Sequence, residues 1–300
     1  MITRRDFLKT SIAASALASV PSFAKSATKR FDAGERFRAL EKGHARLGVC
    51  LLDTVTGEVN GNRMEERFAM CSTFKFAMVA ACLHEADNGR LNLNQVLPYS
   101  EADLLPWAPV TKKHLNTGQL SIEVLAKAAQ QLSDGTAANL LVKRLGGPGA
   151  VTTKFREMGD TVSRLDHYEP DMAFVLSADT RNTTTPLAYA NLVKRILTGN
   201  ILQETSRQRL LEWTQSTKTG ARRLRAGLPS DWHTGNKTGT GRDAGTTNKC
   251  NDIAITFPPG KNPIVIAAYF DSGEYTEQIE KRHEAVLAEV GKIAAEWAMS

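Results

Sequence analysis

The sequence predicts an α/β (α+β) protein: an antiparallel sheet flanked by N- and C-terminal helices, with an all-α subdomain inserted. Strand-like patterns sit near both ends, helical patterns fill the middle, and short connections between the late strands require antiparallel pairing. Residues 32–46 have helical periodicity, with Phe37 and Leu40 on one side. Residues 47–54 read as a strand, and Thr56-Gly57 marks a hairpin turn. Helical patterns then dominate from about 72 to 215. After Trp232 the pattern returns to strands at His233–Gly241, Asp252–Phe257 and Ile264–Phe270. A last helix sets Ile279, Val286, Val290, Ile293 and Trp297 on one face. The α/β half is thus 30–62 plus 216–300, the α half 63–215, and the two form one domain over 25–300.

Of the 300 residues, 42% are hydrophobic and 23% charged, which excludes a disordered chain. Net charge is +6. The basic residues are dispersed and lack the basic stripe with interleaved aromatics of a nucleic-acid binder. Residues 1–24 read as an export signal: Arg4, Arg5 and Lys9, then an apolar run from Ser11 to Val20, then Ser22-Phe23-Ala24 as cleavage site. The Arg4-Arg5 pair ahead of Phe7-Leu8-Lys9 resembles a twin-arginine signal, placing the mature protein in the periplasm from about Lys25. That run is too short to span a bilayer, and no later stretch is apolar enough, so no membrane contact is expected after export. Nothing marks a partner surface, and a monomer is expected.

The histidines (44, 84, 114, 167, 233 and 283) are scattered, and Cys50, Cys71, Cys82 and Cys250 form no zinc spacing, so no metal or cofactor is implied. Four cysteines in an exported chain allow three full pairings, with free buried thiols as the alternative. Cys82, on an apolar helical run, reads as a small buried hydrophobe.

Ser72-Thr73-Phe74-Lys75 opens an apolar helical run, where positions i and i+3 share a face and the hydroxyl can meet the amine. A serine needs such a neighbouring base to become a nucleophile. The motif alone is weak: a chain of this composition holds it roughly once by chance, and Ser26–Lys29 is a decoy. Lys-Thr-Gly occurs twice as well, at 218–220 before a helical stretch and at 237–239 on a predicted strand. Order separates signal from decoy. Ser72-x-x-Lys75, Ser133-Asp134-Gly135, Glu169 and Lys237-Thr238-Gly239 follow one another as in penicillin-recognising serine enzymes.

On these residues the chain resembles a class A β-lactamase along nearly all of its mature length. Pro109-Val110-Thr111-x-Lys113-His114, Ala138-Asn139-Leu140-Leu141, Arg164-Leu165-Asp166 and Asp252-Ile253-Ala254 add to the resemblance. It implies a β-lactamase/D,D-peptidase-like fold and hydrolysis of the lactam amide of penicillins and cephalosporins through a serine acyl-enzyme, conferring resistance. It implies that Ser72 is acylated, that Lys75 and Ser133 move protons, and that Glu169 activates the deacylating water. It places the Ser72 and Thr240 backbone N–H groups in an oxyanion hole. Lys237, Thr238, Gly239 and Thr240 would bind the substrate carboxylate, with Arg223 adding charge and Trp107 forming an aromatic wall. Arg222 and Arg225 are rivals for the arginine's role, and Thr219 could also line the carboxylate pocket.

Four positions depart from the family. Gly135 replaces an Asn that contacts the substrate's side-chain carbonyl. Ala173 replaces an Asn that helps hold the hydrolytic water. His167 and Asn182 replace an ion pair that closes the Glu169 loop, implying a looser loop and access for bulky cephalosporins. Cys71 has a Cys partner in carbapenem-hydrolysing relatives at the position of Gly241. Here Cys250 lies further on, in an apparent insertion, Lys249-Cys250-Asn251, leaving a Cys71–Cys250 bridge and free thiols both open. The alternatives to a hydrolase are a D,D-peptidase, or penicillin-binding protein, and a non-catalytic β-lactam sensor. Glu169 argues against the first and the lack of a spanning segment against the second.

Overall fold

The computed structural model describes residues 31–176 and 178–300. The export segment and the Ser26–Lys29 decoy lie outside them. In chain order the elements are α1 (Gly34–Arg38), β1 (Arg46–Asp53), β2 (Val59–Asn62), β3 (Phe68–Ala69), α2 (Phe74–Asp87), β4 (Val96–Pro98), β5 (Gln119–Ser121), α3 (Ile122–Gln131) and α4 (Gly135–Arg144). There follow α5 (Pro148–Glu157), β6 (Thr183–Thr184), α6 (Pro186–Thr198), α7 (Glu204–Gln215), α8 (Leu224–Gly227), β7 (His233–Gly241), β8 (Lys249–Phe257), β9 (Ile264–Asp271) and α9 (Lys281–Met299).

Five strands form one antiparallel sheet in the order β2-β1-β9-β8-β7, so strands from both ends of the chain meet at its centre. Successive side chains on a strand face opposite ways, and the sheet uses both faces. Leu47, Val49 and Leu51 of β1, with Ile264, Ile266, Ala268 and Phe270 of β9, pack with Phe37 of α1 and Leu287, Val290, Ile293 and Trp297 of α9. Cys50 and Leu52, with Val265, Ala267 and Tyr269, pack against the helical middle. There α2 is buried nearly all round, as its apolar sequence demands.

The structure redraws several expectations. The first helix is five residues, not a run over 32–46; Gly43 at φ +61 belongs to the turn that leads into β1. The helical middle also holds two short ribbons, β3 with β6 and β4 with β5, whose strands of two or three residues carry no readable alternation. Ile279 precedes α9; it packs, partly buried, against the same core as that helix and also lines the cleft described below. Strand β8 begins at Lys249, three residues before the expected Asp252, and Lys249, Cys250 and Asn251 pair with Gly241, Thr240 and Gly239.

That register decides the cysteines. Cys71 faces Gly241, where an added Cβ would lie 3.1 Å from its Sγ. Cys50, Cys71, Cys82 and Cys250 are all free and buried, so the Cys71–Cys250 bridge is not formed. Burial pushes the Cys50, Cys71 and Cys82 thiols up to about 12 and Cys250 to about 11. The thiolate is the reactive form. The native protein is therefore expected to resist alkylation at pH 8 and, unreduced but denatured, to take up four labels by intact mass; two labels would mean a bridge.

Asp252 of β8 is fully buried and accepts from Asn236 Nδ2 at 2.8 Å and from Leu224 N. Burial raises its carboxyl to about 6, against the pull of Asn236, Arg223, Arg225 and Leu224. The folded state thus holds this proton more tightly than the unfolded chain. The group's stabilising contribution is complete below pH ~4 and is lost as pH rises through about 6. Relative to Asp252→Asn, the parent should lose about 2 kcal/mol of unfolding free energy between pH 4.5 and 7.5. Urea denaturation at both pH values checks this, and a constant difference would refute it.

Candidate active site

A 3-10 turn, Cys71–Thr73, leads from β3 into α2 and carries Ser72. Cys71 holds a positive φ of +44, a conformation that costs a non-glycine residue of order 1 kcal/mol or more. The surroundings fix it. Asn251 Nδ2 donates to Ala69 O at 2.9 Å, Met70 N to Asn182 O at 2.9 Å, and Tyr189 Oη to Thr73 O at 2.5 Å. Strand β7 passes so close that a Cβ on Gly239 would lie 2.7 Å from Met70 O, which is why glycine stands there.

Lys75, the second residue of α2, is 1% exposed. Its Nζ lies 3.0 and 3.1 Å from the two oxygens of Glu169, 2.8 Å from Ser133 O and 3.3 Å from Ser133 Oγ. Ser72 Oγ donates to Glu169 Oε1 at 2.8 Å. Ser133, at φ +58, precedes α4. The next residue, Asp134, caps that helix through Ala137 N and also accepts from Val110 N and Thr111 N at 2.8 and 2.9 Å. From β7, Lys237 Nζ donates to Ser133 Oγ at 2.9 Å and to Thr238 O at 2.8 Å. Burial, then the nearby Lys75 charge, hold the Lys237 ammonium well below the usual lysine range.

Glu169 sits on a loop rather than a helix, and its backbone is clamped by one side chain: Glu169 N donates to Asn139 Oδ1 at 3.0 Å, and Asn139 Nδ2 to Glu169 O at 2.8 Å. The loop's base is closed without an ion pair between His167 and Asn182. Asn182 Oδ1 accepts from Asp166 N and His167 N at 2.8 and 3.1 Å, and its Nδ2 lies 2.9 Å from His167 Nδ1. With the amide oxygen committed to two N–H groups, Nδ2 is the donor and Nδ1 the acceptor.

The three arginines separate cleanly. Arg223, 6% exposed, donates to Gly239 O, Asn251 O and, at 2.8 Å, to Thr240 Oγ1. Arg222 is exposed at the cleft and paired with Glu284, while Arg225 is spent on Thr217 O and Thr219 O. Thr219, of the decoy tripeptide, meets Thr238 hydroxyl to hydroxyl at 2.8 Å. Trp107 stands 60% exposed at the cleft, its Nε1 donating to Leu132 O.

Ser72, Lys75, Ser133, Glu169, Thr238 and Thr240 thus open onto one cleft of about 880 Å³, the size of a small-molecule site. Lys237 and Gly135 lie buried behind its wall. Asp134, Asn139 and Asn251 support the site, yet the sequence singled none of them out for that work, and Asn182, expected to leave the loop looser, bonds across its base. Asp134 and Asn139 stand inside recognisable motifs, whereas the Asn251 contact depends on strand register. Among the described residues one trio, His84, Glu85 and Glu157, gathers metal-type ligand atoms within 4.8 Å of one another. Glu85 there is paired with Arg90 and Lys154, and none of the three lines the cleft. No described helix is long and apolar enough to cross a membrane.

Comparison with known proteins agrees along the whole chain. Residues 32–298 match the model of the β-lactamase enzyme family, and residues 1–21 that of the twin-arginine translocation pathway signal sequence. The chain is exported by that pathway and works in the periplasm. It is 39% identical over 296 residues to β-lactamase CTX-M-8 of Citrobacter amalonaticus, covering 98% of each chain. It is 41% identical over 307 aligned positions to β-lactamase L2 of Stenotrophomonas maltophilia, again covering 98% of each. The structure of a class A β-lactamase representing the last common ancestor of Gram-negative bacteria (GNCA4) superposes with a TM-score of 0.82 at 44% identity, covering 87% of this chain and 97% of that one. The chain belongs to the class A β-lactamases and hydrolyses β-lactams.

Proposed function

We propose that Ser72 is the residue acylated by the lactam carbonyl, that Lys75 and Ser133 carry protons between Ser72 and the leaving nitrogen, and that Glu169 activates the water that clears the acyl-enzyme. One observation carries this reading: Ser72, Glu169, Lys75, Ser133 and Lys237 form a continuous chain of contacts no longer than 3.3 Å. A nucleophile, a base and a proton donor for the leaving group are within transfer distance of one another. Lys237, with Thr238, Thr240 and Arg223, gives the wall opposite Glu169 a positive field suited to a substrate carboxylate. Gly239 lets that wall approach the serine turn. The Ser72 and Thr240 N–H groups serve as oxyanion hole, and Trp107 and Gly135 border the substrate's side chain. The mature chain begins near Lys25 and acts as a monomer. Glu169 beside the serine favours turnover over a D,D-peptidase or a sensor that stays acylated.

Ser72→Ala is expected to lower penicillin and cephalosporin turnover by about 10⁴-fold or more. Glu169→Ala should accumulate an adduct on Ser72, visible by intact mass. Turnover surviving in Ser72→Ala would refute the assignment.

The pH dependence has a definite sign. Lys237 anchors the carboxylate only as an ammonium, and its affinity for that proton is lowered by burial and by Lys75. The kcat/KM profile, which reports the free enzyme, should fall on an alkaline limb below the ordinary lysine value of about 10.4. In Lys237→Arg, whose guanidinium stays charged, that limb should move upward. An unmoved limb would assign it to another group.

A further inference from the structure

We propose that Thr219, in the decoy Lys218-Thr219-Gly220, is a positioning residue for the substrate carboxylate: its hydroxyl donates to Thr238 Oγ1, so that Thr238 spends its own proton on the carboxylate. This rests on the reading in which Lys237, Thr238 and Thr240 hold that group.

Side chains two apart on a strand share a face, and Asn236, Thr238 and Thr240 form such a row on β7. The segment 217–225 runs along that row and meets each member. Asn236 Nδ2 donates to Thr219 O at 3.4 Å, Thr238 Oγ1 meets Thr219 Oγ1 at 2.8 Å, and Thr240 Oγ1 accepts from Arg223 Nη2 at 2.8 Å. Thr238 and Thr240 line the cleft, and Thr219 stands behind them. Its backbone is fixed from both sides. Arg225 Nη2 donates to Thr217 O at 3.1 Å and to Thr219 O at 2.6 Å, and Lys218 N donates to Gln131 O at 2.9 Å. Gly220, at φ +81, lets the turn press on β7 so closely that a Cβ there would lie 2.6 Å from Asn236 Nδ2 and 2.7 Å from Thr238 Cγ2. The Thr219 hydroxyl is thus carried to Thr238 on a rigid support.

Proton counting gives the contact its direction. A hydroxyl has one proton to donate and two lone pairs to accept with. A guanidinium only donates, so Thr240 Oγ1 takes a proton from Arg223 and keeps its own for the cleft. Behind Thr238 the same place is taken by a neutral hydroxyl, that of Thr219. Between two hydroxyls either can donate, and the substrate decides. A carboxylate only accepts, so it draws the Thr238 proton, and Thr238 Oγ1 then takes the proton of Thr219. The two bonds run the same way and polarise each other. The wall thereby offers one anion two hydroxyls, each backed by a donor, beside the Lys237 ammonium. The decoy tripeptide differs from Lys237-Thr238-Gly239 in using only its middle hydroxyl, since Lys218 is exposed.

The test uses the full mature chain with Thr219→Val, which keeps the shape and deletes the hydroxyl, and Thr219→Ser, which keeps the hydroxyl. Benzylpenicillin and its methyl ester are the probes, followed by absorbance. Melting curves confirm that each variant is folded. Thr219→Val should raise KM for benzylpenicillin about fivefold, the scale of one net hydrogen bond. Its kcat should stay nearly unchanged, because the contact holds ground state and transition state alike. Thr219→Ser should restore KM. The ester, which carries no carboxylate charge, should lose less than about twofold in kcat/KM. With Thr238→Val already in place, Thr219→Val should add nothing. If Thr219→Val leaves benzylpenicillin untouched, slows acid and ester alike, or adds its full loss to Thr238→Val, this inference is overturned while the carboxylate wall stands. If Thr238→Val itself leaves KM unchanged, the reading of the wall falls, and the role of Thr219 with it.

Discussion

A single buried ammonium organises this molecule. Lys75 is almost wholly shielded from water, and an isolated charge in such a place is prohibitive. Three pieces of chain converge to compensate it: the serine turn with α2, the start of α4 with Ser133, and the loop with Glu169. Removing one member of such a set leaves an uncompensated charge, a loss on the order of several kcal/mol. Much of the surrounding structure holds these three pieces in place. Asp134 fixes α4 by accepting from three backbone N–H groups, Asn139 grips Glu169, and Asn182 and Asn251 tie the loop base and the sheet to the serine turn.

The same constraint explains what could be read in advance. Ser72 and Lys75 share a helix face because the α-helical period puts them there, and Lys237-Thr238-Gly239 sits on a strand whose pattern is plain. These are local facts, and the sequence displays them. The order of the motifs then separated Lys237 from the decoy at 218. Strands β1 and β9 are legible because both runs are continuously apolar and too short for helices.

What escaped was set by partners distant in sequence. The Asn251 contact is one such case, since nothing local reveals that β8 begins at Lys249 in register with Gly241. The two-stranded ribbons are held by a few hydrogen bonds between segments up to 116 residues apart, with no periodicity of their own. Replacing the expected ion pair by His167 and Asn182 implied a loose loop, because charge was the only glue the sequence made visible. The loop base is instead closed by one amide that satisfies two N–H groups and a ring nitrogen.

The strand order bears on how the chain comes together. β1, near the start, lies between β2 and β9, and its pairing with β9 closes a loop of more than two hundred residues. Closing a flexible loop of that length carries an entropic penalty of roughly 5 kcal/mol, recovered only once both apolar faces of the sheet are covered. A chain emerging from the ribosome amino end first can assemble its helical middle early, yet β1 must wait for β9, which begins only at Ile264 of the 300 residues, before its long edge is filled. Until then Lys237 has no neighbouring β8, and the serine turn lacks the Asn251 contact. The fold is therefore of high contact order and belongs among the slower folders of its size, and its site is among the last parts to take shape.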